Sequence, residues 1–535
     1  MVGRSFSLSK KKYKIGTRSS LLALTQSQQV KENLEELTGD EFELVKIKTE
    51  GDLNTSVPLW QLDGKDFFTK ELDQALLNHQ VDLVIHSYKD LGSERPEGIT
   101  LAAITKRKYQ NDILLIKNKT IKELQSNSLK DFVIGTSSPR RIENLKSNIL
   151  NFLPVLNNKD LKLEVKSLRG NINSRIRKLQ EDNYDAIVLA LAGVERLALT
   201  KSSHVELTKL LNELNYMILP ISHFPTAASQ GALCIETLDN RGDQDELLKK
   251  IQLLNDEKTI SEVRQERKSF KEYGGGCHLA VGISVQKINN NFLQIQKGCV
   301  DNKVINQTFV NRESKLPELK GKKVFLGLYP KHIFFSQNKY LSDQLTSKHP
   351  LLYSEKLSSQ NVYITSILAK DTFENIQNPN QVWTSGAKTF TKLAKQQFWI
   401  NGTADGLGEN YLANLIASKA ISIMNKNDTD WITLTNKESS SNIGEVIESY
   451  KRTVNSIDES FSKAILDREV FYWTSYWQYT TYIQHFPSIK DKIHCCGFGK
   501  TYYQFLNNQI GVYPFFNVDS FRQEVTGEKN ARITK

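Results

Sequence analysis

Short apolar stretches alternate with amphipathic ones along the first 190 residues, and this rhythm narrows the possible folds more than any other feature. Lys14-Ile-Gly-Thr-Arg18 reads as a strand ending in a polar turn, and the apolar spacing that follows predicts a helix capped by Ser19 or Ser20. Residues 42–49 alternate like a half-buried strand, 68–77 have helical spacing, and 81–87 form a buried strand that ends at Tyr88-Lys89-Asp90. The pattern restarts at Phe132-Val-Ile-Gly-Thr-Ser-Ser138, with a helix opening near Pro139-Arg140-Arg141. A strand at 163–168 then leads into Arg169-Gly-Asn-Ile-Asn-Ser-Arg175 and another helix, and 185–192 follow as a core strand. Such βαβ succession predicts doubly wound α/β domains. At 535 residues the chain is too long for one core, so several domains are expected.

In sheets of this kind ligands meet the carboxyl ends of strands, where helix N-termini present free N–H groups to anions. Arg18, Lys89, Asp90, Arg140, Arg141, Arg169 and Arg175 all fall at such ends. The planar guanidinium fork makes two parallel charge-assisted bonds to a carboxylate. Any one of these arginines taken singly is best read as a solvated surface residue; five at equivalent strand ends point to a polycarboxylate. Asp90 taken singly is equally well a helix N-cap. Cys277 stands behind three glycines in Tyr273-Gly-Gly-Gly-Cys277, a turn that presents a thiol, although a structural cysteine is the commoner case. A nucleophilic sulfur, an isolated acid and a nest of guanidinium groups suggest covalent chemistry on a polycarboxylate.

Charge leaves the partner open. Lysine and arginine number 71 against 60 acidic residues, a formal net charge of +11, but the lysines are scattered and basic runs such as Lys10-Lys11-Lys12 are short. Nucleic acid and an acidic small molecule both suit that balance. Five cysteines without repeated CxxC spacing argue against a disulfide scaffold or a zinc site and suit a reducing compartment. The N-terminus lacks an apolar h-region and nowhere is there an apolar run long enough to cross a bilayer, so a cytoplasmic location is expected.

Residues from about 13 to 300 resemble the hydroxymethylbilane synthases, also called porphobilinogen deaminases. The matching motifs are Gly16-Thr-Arg-Ser-Ser-Leu-Leu-Ala-Leu24, Thr49-Glu-Gly-Asp52, Gly64-Lys-Asp-Phe-Phe-Thr-Lys-Glu-Leu72, His86-Ser-Tyr-Lys-Asp90 and Gly135-Thr-Ser-Ser-Pro-Arg-Arg141. Ser167-Leu-Arg-Gly-Asn-Ile-Asn-Ser-Arg175, Asp185-Ala-Ile-Val-Leu-Ala-Leu-Ala-Gly193, Ser229-Gln-Gly-Ala-Leu233 and Gly275-Gly-Cys277 follow in the family's order. The resemblance implies a three-domain porphobilinogen deaminase fold. Two doubly wound, periplasmic-binding-protein-like domains would occupy 1–108 with 218–238, and 109–217. A small α+β domain at 239–312 would carry Cys277, to which a dipyrromethane cofactor is attached through a thioether. Four porphobilinogen molecules would be joined with loss of ammonia and released as hydroxymethylbilane.

The same resemblance assigns roles by position. Asp90 is the catalytic carboxylate, assisted by Lys89. Arg18, Ser20, Ser137, Arg140, Arg141, Arg169 and Arg175 hold the cofactor together with Cys277 and Asp90. Arg18, Lys65, Phe68 and Arg196 contact substrate, Lys65 and Phe68 from a lid segment. No metal, nucleic acid or membrane is implied, and the family's habit is monomeric. The chain departs from the family at Tyr88, Leu91-Gly92, Pro139, Gln61, Ser229 and the turn after Cys277, which puts lid behaviour and cofactor-loop geometry in question.

Residues 321–535 carry a faint internal repeat. Tyr363-Ile-Thr-Ser is echoed by Tyr472-Trp-Thr-Ser, and Gly386-Ala-Lys-Thr-Phe by Gly499-Lys-Thr-Tyr-Tyr. This half resembles uroporphyrinogen-III synthase, which implies a two-lobed α/β module that cyclises the bilane to uroporphyrinogen III. Thr384-Ser385-Gly386, Gly402-Thr403, Gly406-Leu-Gly408 and Thr474-Ser475 fall where that family binds carboxylates. Competing readings are a non-catalytic α/β appendage here and an anion-binding module in the first half. Residues 1–315 are expected to form the bilane by themselves.

Overall fold

The computed structural model describes residues 10–49, 69–92, 94–156, 160–181, 183–243, 245–276, 279–328, 340–353, 355–358, 360–425 and 430–527. A first five-stranded sheet runs in the order Glu41–Ile47, Lys12–Arg18, Leu83–Ser87, Leu233–Leu238, Ile99–Ile104. Lys12–Arg18 is parallel to both its neighbours, so its carboxyl end and that of Leu83–Ser87 emerge on one edge. A second sheet runs Lys162–Lys166, Asp131–Gly135, Ala186–Ala190, Asp112–Lys117, Leu214–Ile218. Its first three strands are parallel, and Ile113, Leu114, Leu115 and Ile116 of the fourth are all fully buried, as expected of a sheet covered on both faces.

The chain crosses between these sheets at 105–111 and again at 219–232, and the two crossings are bonded together. Lys108 N–H donates to Gly231 O at 3.1 Å and Thr105 N–H to Leu233 O at 3.0 Å. Gly231 has φ +89°, and a Cβ there would stand 2.6 Å from the Tyr109 carbonyl oxygen, so the crossing requires glycine. Ser229 also sits at positive φ, +66°, a conformation glycine adopts more cheaply, and its buried hydroxyl has no hydrogen-bond partner among the described residues. Its N–H donates to Glu266 Oε2 at 2.7 Å, which holds the turn in place.

A third, antiparallel sheet of Ala280–Ile288, Asn291–Val300 and Lys303–Asn311 packs on the helix Glu257–Glu272. The helix Glu246–Gln252 does not join it. Leu247 and Ile251 are buried with Tyr13, Val30 and Leu34 of the first sheet's core, so the expected boundary at 239 falls a helix too early.

The C-terminal half has two lobes. One holds Tyr340–Ser342, Val324–Leu326, Val470–Trp473, Ile493–Gly497 and Tyr513–Phe515 in a parallel sheet, closed by the helix Val518–Thr526. The other holds Thr346–Pro350, Glu445–Val454, Trp431–Asn436, Asn361–Ile364, Gln381–Thr384 and Gly402–Thr403, parallel except at its first pair. The repeat seen in sequence maps onto equivalent strand–turn–helix units. Asn361–Ile364 with Gln381–Thr384 in one lobe corresponds to Val470–Trp473 with Ile493–Gly497 in the other. Cys495 and Cys496 are fully buried thiols in the latter sheet.

This half is seated firmly on the first. Ile218 N–H donates to Asn401 O at 2.7 Å, Tyr216 O–H to Gln381 Oε1 at 2.6 Å, and Ser222 N–H to Asp405 Oδ2 at 2.8 Å. Glu195 accepts Ser418 Oγ–H at 2.6 Å and Ala420 N–H at 3.0 Å, satisfying the start of the helix Lys419–Met424. Phe152 packs edge-on against Phe390 with ring centroids 5.0 Å apart, inside one apolar cluster shared by both halves. The other lobe meets the third sheet, where Arg312 lies 4.3 Å over the Phe515 ring and Asn291 Nδ2–H donates to Tyr502 Oη at 2.8 Å.

Candidate active site

The strand Leu83–Ser87 is buried along nearly its whole length and delivers the chain into a single 3-10 turn, Tyr88–Asp90. Tyr88 is buried beneath the Arg267 guanidinium, 4.5 Å from its ring centroid. Arg267 also donates to the carbonyl oxygens of Tyr88, Leu91 and Gly92 at 3.2, 3.1 and 2.8 Å. The helix Glu257–Glu272 thereby fixes the turn, and Tyr88 has a physical reason as the partner of that cation. Asp90 is exposed at the tip and Lys89 half-buried beside it. Burial, then Arg141 and Arg140, push the Lys89 ammonium below its ordinary value, while Asp90 and Asp112 pull the other way.

Across from this turn stand the strand ends of the second sheet. Ser137 Oγ lies 2.9 Å from Ser167 Oγ, donates to Leu168 O at 2.9 Å and accepts Leu168 N–H at 2.9 Å, which locks two neighbouring strand-end loops together. Asn171 caps the helix Ile172–Gln180, and Arg175 in its first turn donates Nε–H to Gly170 O at 2.8 Å. Burial, then Arg141 and Arg169, push Arg175 down to about 10, with Asp90 opposing. Arg169 Nη1 is buried without a hydrogen-bond partner among the described residues. Lys89, Asp90, Arg141, Arg169 and Arg175 are thus electrostatic neighbours drawn from three separate stretches of chain.

Arg140 and Arg141 are buried, and both are committed to Asp112. Arg140 Nη1–H meets Asp112 Oδ2 at 2.8 Å, and Arg141 meets Oδ1 at 2.7 Å and Oδ2 at 3.2 Å. Gln230 Nε2–H adds a bond to Oδ1 at 2.9 Å from the crossing segment. Burial alone would raise the Asp112 carboxyl; the two arginines outweigh it and hold it well below the usual carboxylate range. Asp112 was missed in sequence, where the available signal was a lone acid at the head of the wholly apolar run Ile113-Leu-Leu-Ile116. Arg267, on a helix charged all round, offers no such signal.

Arg18 closes the strand beside Leu83–Ser87, on the same sheet edge as Lys89, and Ser20 caps the helix Leu21–Thr38 by accepting Ala23 N–H at 3.4 Å. Arg196 is placed differently from the substrate contact expected of it. It is 4% exposed, donates Nη2–H to Gly231 O at 2.8 Å, and has Glu195 as its charged neighbour, so it braces the crossing instead. Cys277, Lys65 and Phe68 lie outside the described residues. Among the described residues, Asp73, His86 and Glu236 approach one another as metal ligands would. Arg95 already occupies both carboxylates, meeting Glu236 at 2.7 and 2.8 Å and Asp73 at 2.5 Å.

Residues 13–246 match the family model described as porphobilinogen deaminase, dipyromethane cofactor binding domain. A porphobilinogen deaminase of Brevibacillus brevis is 38% identical over 282 residues, 52% of this chain and 82% of that protein. One of Campylobacter lari is 40% identical over 277 residues, 51% of this chain and 80% of its own. The chain belongs to the porphobilinogen deaminase family. Among solved structures, the methionine-binding protein MetQ aligns at 13% identity over 48% of this chain and 94% of its own, with a TM-score of 0.25, too slight a likeness to define the fold. Dipyrromethane is the cofactor of the matched deaminase domain, and the residues here fit it. An orphaned buried guanidinium nitrogen on Arg169, with Arg175 depressed by burial, Arg141 and Arg169 and Lys89 depressed by burial, Arg141 and Arg140, marks a site short of negative charge. No helix among the described residues is long and apolar enough to cross a membrane.

Proposed function

We propose that the first half of this chain converts porphobilinogen to hydroxymethylbilane, and that the C-terminal half closes that product to uroporphyrinogen III. The observation that carries the first reading is the placement of Lys89 and Asp90 against Arg141, Arg169 and Arg175 at facing strand ends, in a chain of the deaminase family. Each pyrrole unit brings two carboxylates, and burying them without paired cations would be prohibitive. When bound through Cys277, dipyrromethane supplies the pyrrole carbon to which new units are joined.

The chain's own residues do the remaining work. Arg169 and Arg175 bind and orient carboxylates, and Lys89 adds a third cation beside the acid. Asp90, exposed at the mouth, donates a proton to the substrate's leaving amine, steadies the positive charge left on the substrate carbon and takes up a proton from the pyrrole afterwards. Arg140 and Arg141, which share the single Asp112 carboxylate, set the rim's shape and a residual positive potential. Arg18 and Ser20 extend the rim along the first sheet edge.

The second activity is supported by the two-lobed module with strand ends and hydroxyl-bearing turns on both lobes, Thr365-Ser366 and Thr384-Ser385 on one and Thr474-Ser475 on the other. Its test is an isomer assay on the full chain supplied with porphobilinogen, the product being oxidised and the isomers separated. Type III uroporphyrin is expected to predominate. Accumulation of type I alone removes the cyclising role, and failure to consume porphobilinogen removes the first reading.

A further inference from the structure

The two lobes of the C-terminal half are joined by two strands lying side by side. Thr346–Pro350 enters from the parallel lobe, Glu445–Val454 returns to it, and they pair antiparallel where the chain crosses. Asn455 N–H donates to Leu345 O at 2.8 Å, continuing the pairing to the crossing point. Residues directly opposite in such a pair point to the same face, as do residues two apart. Thr346, Lys348, Tyr450 and Arg452 therefore share one face of this ribbon.

That face runs beneath both lobes. At one end Thr346 Oγ1 is bonded to Asp343 and accepts Gln478 Nε2–H at 3.4 Å; Gln478 Oε1 in turn accepts Thr474 N–H at 3.2 Å. At the other end Tyr450 Oη lies 3.3 Å from Thr365 Oγ1. Between them Lys348 stands directly opposite Arg452, and the Arg452 guanidinium lies 5.5 Å from the Trp477 ring centroid. The middle of the ribbon thus lies between the turn at Thr365 on one lobe and that at Thr474 on the other.

Like charges directly opposed on neighbouring strands are destabilising. The carboxylate that touches Lys348 electrostatically is Asp343, and its oxygens are already occupied. They accept Thr346 N–H at 3.0 Å, Tyr482 O–H at 2.7 Å, Gln478 Nε2–H at 2.5 Å and the Thr346 hydroxyl. The Lys348 ammonium makes no hydrogen bond or ion pair among the described residues. Burial, and then Arg452, push its ammonium down to about 8. The Lys348 ammonium thus faces Arg452 with no anion of its own among the described residues, an arrangement that one added carboxylate would relieve.

We propose that Lys348 and Arg452 form a carboxylate subsite on the floor of the inter-lobe cleft, receiving one acidic side chain of a multiply carboxylated tetrapyrrole while Trp477 flanks its ring. This rests on the reading that the C-terminal half receives the linear tetrapyrrole. The subsite fixes which end of a long polyanion lies over the ribbon, a requirement for any step that treats one terminal ring differently from the others.

The test uses the full chain carrying Lys348→Met, Arg452→Gln or both, with Lys451→Met on the opposite face of the ribbon as control. Two quantities are read: the ratio of type III to type I product from porphobilinogen, and the affinity for added uroporphyrin III measured by tryptophan quenching. Loss of one charge-assisted bond predicts about a tenfold fall in both for either single variant, with total porphobilinogen consumption unchanged. Lys451→Met leaves both at the original level. Lys348→Met is also expected to raise the thermal midpoint of the unliganded protein, which a merely structural lysine would lower. Unchanged isomer ratio and unchanged uroporphyrin affinity in the double variant overturn the subsite. Should the unmodified chain yield type I alone, the cyclising role falls separately, and the subsite is decided by whether uroporphyrin affinity still drops in the double variant.

Discussion

Both halves of this chain gather cations, at strand ends in the first and midway along the paired strands Thr346–Pro350 and Glu445–Val454 in the second, yet they treat them differently. In the first, the two arginines best placed to meet each other, Arg140 and Arg141, share Asp112, and the remaining positive charge falls to Lys89, Arg169 and Arg175 around one exposed acid. In the second, Lys348 and Arg452 are opposed, and Asp343 spends its oxygens on Thr346, Gln478 and Tyr482. A cation that already has a carboxylate is architecture; a cation left in excess marks where a ligand's charge belongs. Sequence position alone makes Arg141 and Arg175 look alike, and their partners separate them.

The sharpest way to break this distinction is to remove the acid that makes Arg140 and Arg141 structural. Asp112→Ala leaves two buried guanidinium groups uncompensated and should lower stability by about 3–5 kcal/mol, read from urea unfolding. The pH dependence follows from the same pair. Because the folded carboxyl is held below its unfolded value near 3.9, its contribution is fully present above about pH 4 and is lost as pH falls through the folded value. The unmodified chain should therefore lose stability in acid more steeply than Asp112→Asn. Equal acid limbs for the two proteins would mean that the arginines do not depend on this carboxylate.

A smaller effect tests the seam between the halves. Glu195 is buried in the first half and accepts bonds from Ser418 and Ala420 of the second. Glu195→Ala leaves those donors unsatisfied, with an expected cost of about 1–3 kcal/mol. If the halves unfold as one unit through the shared Phe152–Phe390 cluster, the transition stays single and shifts; two resolved transitions would show that they are energetically independent.

Much of the fold was legible from residue pattern because strand and helix periodicities are local properties. The strands Lys12–Arg18 and Leu83–Ser87, the Ser20 cap and the helix opening at Pro139 all lie where the pattern puts them. Long-range partners were not legible. Asp112 became the hub of two arginines, Arg267 the clamp on the Tyr88 turn, and Arg196 a brace on Gly231. Each depends on pairings more than 25 residues apart, which no local period encodes. The seam illustrates the same limit. Sequence suggested that residues 1–315 would act by themselves, but the Tyr216–Gln381, Ile218–Asn401 and Ser222–Asp405 bonds and a common apolar cluster join the halves. Cutting there would expose Phe152 and Phe224 to water, so the structure favours tests on the full chain.

The first cleft is organised around a single carboxylate set among guanidinium and ammonium groups, and its role is most directly measured by porphobilinogen consumption in full-length Asp90→Asn. That side chain is exposed, so the variant should unfold at the same urea concentration as the parent. Loss of a positioned proton donor predicts a fall in turnover of about 10²- to 10⁴-fold. Turnover within about threefold of the parent, in a protein of unchanged stability, would contradict the assignment of Asp90 and with it the account of this cleft.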